Sequence, residues 1–171
     1  MDRAQFIKGI IAGLGSALIV GALNLSTLAI SGSWDNYIDN LINQTRDASG
    51  QAHADKACII GLNDGSSWTT SGHPNALKLS SQEAEKIASV FRSGDFTSFM
   101  ASGIHIEGVK YQFLREEDGL VVYGKKKEHG SVTLQKSKTA IVIAHSPEGS
   151  QQGNLNKGVG VIAEYLESLN L

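Results

Sequence analysis

From Gly103 to Ala144 the chain alternates short apolar runs with turn residues, and no helix-length segment interrupts them. The runs are Ile104–Ile106, Lys110–Arg115, Leu120–Lys125, Ser131–Gln135 and Ala140–Ala144; Gly108, Asp118-Gly119, Gly130 and Ser137-Lys138 separate them. Repeats 8–12 residues apart with turn residues between them predict an antiparallel meander. Helical periodicity on both sides of this block then predicts an α+β domain, with helices packed on a central antiparallel sheet.

The first helix is read from Trp34, Tyr37, Ile38, Leu41, Ile42 and Thr45, with Asp35, Asp39 and Asn43 on the opposite side. Ser33 is its expected N-cap. Lys56–Leu62 reads as a buried strand, Asp64-Gly65 as a tight turn, and Ser66–Ser71 as the partner strand. Ser80 and Glu83 form a capping-box pair for a helix running to about Arg92. A shorter helical piece follows at Asp95–Ala101. The last helix covers Gly153–Asn170, with Val159, Ile162, Leu166 and Leu169 inward.

Upstream, Gly9–Ile30 runs 22 residues without a charge and has no polar face. It is long enough for a bilayer span, and its basic start and small-residue end also suit a secretory signal. Gly9, Gly13, Ala17 and Gly21 form a small-residue stripe. A membrane anchor, a signal peptide and an upstream gene-model extension all remain open for residues 1–32. The domain proper is residues 33–171.

The net charge of −2 argues against a protein that coats nucleic acid. It hides an asymmetry: residues 34–109 hold five basic and nine acidic side chains, residues 110–157 eight and five. The single Cys58 excludes an internal disulfide framework and lies in an apolar run, as a buried small hydrophobe would. Histidines 53, 73, 105, 129 and 145 show no metal-ligand spacing, and there is no nucleophile elbow, phosphate loop or dinucleotide fingerprint. No catalytic residue, metal site or cofactor is expected.

Two constellations point to binding. Trp34 and Tyr37 lie one turn apart, Trp68 falls on the second predicted strand, and Tyr165 sits at the edge of the last helix's inner face. Rings with polar tips suit a polyproline II ligand, which offers pyrrolidine rings and carbonyls but no amide donors. Core and rim packing is the simpler reading of the same residues. The second set is basic: Lys110 and Arg115 on one strand, and Lys125, Lys126 and Lys127 at the end of the next. A hairpin through Asp118-Gly119 would gather them for an acidic protein face or a phosphorylated headgroup, or would simply be a solvated hairpin end.

Over residues 33–171 the sequence resembles the profilins. The likeness rests on Trp34-Asp35-Asn36-Tyr37-Ile38-Asp39, on Ala57–Trp68 (ACIIGLNDGSSW) and on Lys110–Gly124 (KYQFLREEDGLVVYG), continuing through Lys136–Ile143 (KSKTAIVI) and the closing helix Asn156–Leu171. The resemblance implies a central antiparallel sheet with the terminal helices side by side, and a non-enzymatic binding protein found in the cytoplasm and cytoskeleton. It implies monomeric actin as partner in a 1:1 complex, with faster nucleotide exchange on actin. Proline-rich proteins such as filament elongation factors, and phosphoinositide headgroups, are the other implied partners. Carried over by motif, the proline-binding residues are Trp34, Tyr37, Trp68, Tyr165 and Leu171, the last standing where some relatives have tyrosine. The actin-binding residues are Lys110, Phe113, Arg115, Lys125, Lys127, Gly153, Asn156 and Lys157. The headgroup-binding residues are Lys110, Arg115, Lys125, Lys126 and Lys127. The alternative, prompted by Gly9–Ile30, is a membrane-anchored or secreted profilin-like domain without actin-regulating activity. An attached extension joins the first helix at Trp34 and would crowd the proline site.

Overall fold

The computed structural model describes residues 34–171. The expected Ser33 N-cap and all readings of residues 1–32, membrane attachment through 9–30 included, lie outside the described residues. The elements run α1 (Asp35–Gln44), β1 (Lys56–Gly61), α2 (Ser81–Ser93), α3 (Thr97–Ser102), β2 (Ile104–Ile106), β3 (Val109–Glu117), β4 (Val121–Lys126), β5 (Gly130–Lys136), β6 (Ala140–Ser146) and α4 (Gln152–Ser168). The strands form one antiparallel sheet in the order β1-β6-β5-β4-β3-β2, so the meander is as expected and β1 closes it beside β6.

Alternation along the strands divides the interior into two cores. On one face Ala57, Ile59, Ala140, Val142 and Ala144 pack under α1 and α4. The alanines there let both helices approach closely. On the other face Cys58, Ile60, Ile141, Ile143, Val122 and Leu134 meet Ile87, Phe91 and Phe99 from α2 and α3. The terminal helices lie side by side, and at their contact Gly158 of α4 faces Thr45 and the Leu41 carbonyl of α1. Both halves of the Ser80–Glu83 capping box are formed at the start of α2, and Gly94, at φ 70°, ends that helix in the left-handed conformation.

The expected strand at Ser66–Ser71 is not formed. Only an Ile60–Ser67 bridge and the bonds Gly61 N–H to Ser66 O and Trp68 N–H to Ile59 O survive of a ladder. Hydroxyl and carboxylate side chains take the backbone partners instead: the Ile59 N–H donates to Thr69 Oγ1, Ser67 Oγ to the Thr69 carbonyl, and Thr70 N–H to Asp35. Local side-chain bonding thus replaces sheet pairing, and Trp68 sits on a loop.

Candidate binding faces

The aromatic set converges where α1, α4 and the 62–75 loop meet. Trp34 lies 5.0 Å from Tyr37 and 4.9 Å from Trp68, centroid to centroid, and Tyr37 stacks on Tyr165 at 6.0 Å. Leu171 packs against the core that holds these rings, and its carbonyl accepts from the Lys138 N–H at 2.8 Å. Trp34, Tyr37, Trp68 and Tyr165, from the two ends and the middle of the chain, are therefore brought together, with Leu171 on the same core. Tyr165 is buried rather than at a helix edge, because its ring lies against Tyr37. Trp34, Tyr37 and Tyr165 are 5%, 1% and 3% exposed; Trp68 is half-buried.

This cluster holds unspent polar atoms. Among the described residues the Tyr37 hydroxyl has no hydrogen bond of normal geometry, and burial, with Tyr165 beside it, pushes its pKa up. One turn further along α1, Asn40 is buried with neither amide atom bonded. Asn40 was missed by pattern reading, which treats an asparagine as an outward residue. The signal was available: position 40 follows Tyr37 by three, on the inward side of α1. Buried donors without partners are costly to a protein in isolation, and of these atoms only the Tyr37 hydroxyl and the Asn40 Nδ2 could donate to a carbonyl.

The basic set lies on the opposite end of the sheet, and a β-bulge decides its geometry. Lys110 and Arg115 are an odd number of residues apart, so a regular strand would place them on opposite faces. The β3–β4 register shifts between Phe113 and Arg115, pairing Gln112 with Lys125 but Arg115 with Tyr123. That extra residue, Leu114, returns Arg115 to the face carrying Gln112 and, by alternation, Lys110. The Arg115 guanidinium stands 4.9 Å from the Tyr123 ring centroid and 3.0 Å from a Glu117 carboxylate oxygen, and the Tyr123 hydroxyl donates to Glu117 at 2.9 Å. Burial and the Glu117 carboxylate both raise the Tyr123 pKa.

Helix α4 covers β5 and β6 but leaves β3 and β4 open on this face. Between that open ledge and α4 lies a broad depression of about 780 Å³, lined by Tyr123, Gln135, Gly153, Asn156, Lys157 and Glu164 among others. The Asn156 side chain is fixed by the buried Thr133 hydroxyl at 2.5 Å. A side chain at Gly153 would meet nothing within 4 Å, so this end of α4 is open. Glu117, Tyr123, Gln135 and Glu164 join the face without having been singled out in the sequence. Glu117 and Tyr123 could have been found as same-face and cross-strand neighbours of Arg115.

Lys110, Lys125, Lys126 and Lys127 line a second depression of about 460 Å³, with Gln112, Phe113 and Met100. Arg115 stands outside it. Phe113 is on the opposite side of β3 from the Arg115 ledge, its ring 6.5 Å from Phe99 in the second core. The eight positions carried over for actin are thus split: Arg115, Gly153, Asn156 and Lys157 surround the α4 ledge, while Lys110, Phe113, Lys125 and Lys127 edge the lysine depression. Among the described residues no group of three or more His, Cys, Asp or Glu is placed to hold a metal, and no helix is long and apolar enough to cross a membrane.

The profilin family model matches residues 32–171. The profilin of Clypeaster japonicus is 68% identical over 139 residues, covering 81% of this chain and 99% of its own length. Among solved structures, Acanthamoeba castellanii profilin II superposes with a TM-score of 0.65 at 29% identity, over 81% of this chain and 99% of its own. Mouse profilin IIa, solved in complex with a double repeat from the FH1 domain of mDia1, gives 0.58 at 20% identity over the same shares, a likeness of fold. Matched in sequence, extent and architecture, this chain belongs to the profilin family, non-enzymatic cytoplasmic and cytoskeletal proteins that bind and regulate actin and bind poly-proline.

Proposed function

We propose that the two faces divide the work: the β3–β4–α4 ledge grips monomeric actin, and the α1–α4 aromatic cluster takes proline-rich segments. The observation that carries this reading is the β3 bulge. It brings Arg115, braced by Tyr123 and Glu117, onto the same open face as Lys110, Lys125 and the exposed end of α4. A mixed-charge, aromatic-bearing surface flanked by a rigid helix suits a protein partner rather than a small substrate. Binding one conformation of actin better than another shifts actin's own equilibrium, and faster nucleotide exchange follows without contact to the nucleotide.

At the aromatic cluster, ring faces pack on pyrrolidines while the Tyr37 hydroxyl and Asn40 amide supply donors for proline carbonyls. Mouse profilin IIa holds an FH1 repeat, and a segment of that chemistry is the ligand proposed here. The lysine depression is proposed for phosphoinositide headgroups, with Lys110, Lys125, Lys126 and Lys127 pairing with phosphate and exposed Met100 beside them. Lys110 and Lys125 serve both readings, so headgroup and actin compete. Arg115→Glu tests the actin face: titration with monomeric actin should show affinity reduced at least about tenfold, roughly 1.4 kcal/mol. Unchanged affinity would remove the ledge from the account.

A further inference from the structure

The loop that presents Trp68 has almost no ladder of its own, so something else must set its distance from α1. Its inner side is tied to β1 through Trp68 N–H to the Ile59 carbonyl at 2.9 Å. Its outer side is tied by α1 itself. Asp35 Oδ1 accepts from the Thr70 N–H at 2.7 Å, and Asp35 Oδ2 accepts from the Thr70 hydroxyl. One turn along, Asp39 Oδ1 accepts from His73 Nε2 at 3.0 Å, while His73 Nδ1 accepts from the Asn75 N–H at 3.0 Å. That second bond requires a free lone pair on Nδ1, so the ring proton is on Nε2 and points at Asp39.

Asp35 follows Trp34 directly, and Thr70 lies two residues beyond Trp68. The two-point carboxylate grip therefore spans the same gap as the two indoles, which sit 4.9 Å apart at 46°. We infer that Asp35, supported by Asp39, is a positioning residue of the aromatic site: its grip on Thr70 holds the 62–75 loop so that Trp68 packs against Trp34 before any ligand arrives. This rests on the reading of that cluster as the proline-binding site. Both carboxylates lie on the outward side of α1, bonded to Thr70 and His73. Their effect is to lower the ordering cost that binding would otherwise incur.

The chain has two tryptophans, so their exciton couplet in far-UV circular dichroism reports this one pair. Asp35→Ala, Asp35→Asn and Asp39→Ala in the full chain would be compared with wild type by the couplet, by poly-L-proline titration and by actin binding. Asp35→Ala should lose most of the couplet and bind poly-L-proline about tenfold more weakly, with actin affinity unchanged. Asp35→Asn should restore both, because its carbonyl oxygen still accepts from the Thr70 N–H and its amide donates to the Thr70 hydroxyl. That rescue also separates the grip from any effect of a charge in the first turn of α1, which asparagine lacks. Asp39→Ala should give a smaller change in the same direction. Wild-type binding with an Asp35→Ala variant unchanged in couplet and affinity would overturn the inference alone. A wild type that shows the couplet but does not bind poly-L-proline would overturn the reading of the site, and the inference with it.

Discussion

Tyr37 shows at single-residue scale how binding and folding separate in this molecule. Its ring is buried and stacked, yet among the described residues its hydroxyl makes no hydrogen bond of normal geometry, with the Tyr165 hydroxyl beside it. Tyr37→Phe keeps the packing and removes a buried polar atom without a partner, so stability in urea should hold or rise slightly. Retention on poly-L-proline should fall if, as proposed, the hydroxyl donates to proline carbonyls; unchanged retention would remove it from the site. Gly158 shows the opposite case, a residue that is all packing. A methyl there overlaps Thr45 Cγ2 and comes within 3.0 Å of the Leu41 carbonyl. Alanine's advantage over glycine in a helix is only about 0.5–1 kcal/mol, whereas overpacking a tight contact costs about 1–3 kcal/mol. Gly158→Ala should therefore destabilise the protein, measured by urea unfolding, and a more stable variant would contradict the tight α1–α4 contact.

Among the elements, the β4–β5 turn depends on one histidine. His145 on β6 bonds through Nδ1 to the Asp55 carboxylate at 2.6 Å and through Nε2 to the His129 carbonyl at 2.6 Å. Both partners accept, so both ring nitrogens must carry protons. Burial alone would lower the His145 pKa, but the Asp55 bond and the His129 carbonyl outweigh it and hold it above its ordinary value. A raised folded pKa gives stability that is fully present below the unfolded value of about 6.5 and is lost as pH rises through the folded one. His145→Gln should therefore cost more stability near about pH 5.5 than near about pH 8.5. An equal cost at both pH values would contradict the doubly donating ring. Elements with strong periodicity were legible in the sequence: the meander, the capped α2 and the amphipathic α1 and α4 all follow from spacing. Ser66–Ser71 was not, because its fate turned on Asp35, a residue on a distant helix whose carboxylate competes for the Thr70 backbone. The β3 bulge was equally hidden. Nothing local marks Leu114 as the extra residue, yet without it Lys110 and Arg115 would face apart.

For the whole molecule, the aromatic cluster lies between the terminal helices and the Arg115 ledge beyond α4, on separate surfaces, so under the proposed assignment one ligand need not displace the other. Sequence motifs picked out the four aromatic residues that the fold brings together, since ring partners come from recognisable residues. They located the ledge only in part, because Tyr123, Glu117 and Gln135 earn a role solely from how the sheet is left uncovered. Only Ser31 and Gly32 separate the run Gly9–Ile30 from Ser33-Trp34. A chain beginning at Ser33 should bind poly-L-proline more tightly than the full chain, as calorimetry would show; equal affinities would rule out occlusion.

The central claim, two independent faces on one small domain, is tested most directly by co-retention. The protein is bound to immobilised poly-L-proline and monomeric actin is passed over it. Actin should be held in proportion to the protein retained, Arg115→Glu should lose the actin but stay on the column, and Tyr37→Phe should weaken retention of both together. Release of the protein from poly-L-proline as actin binds would contradict the account.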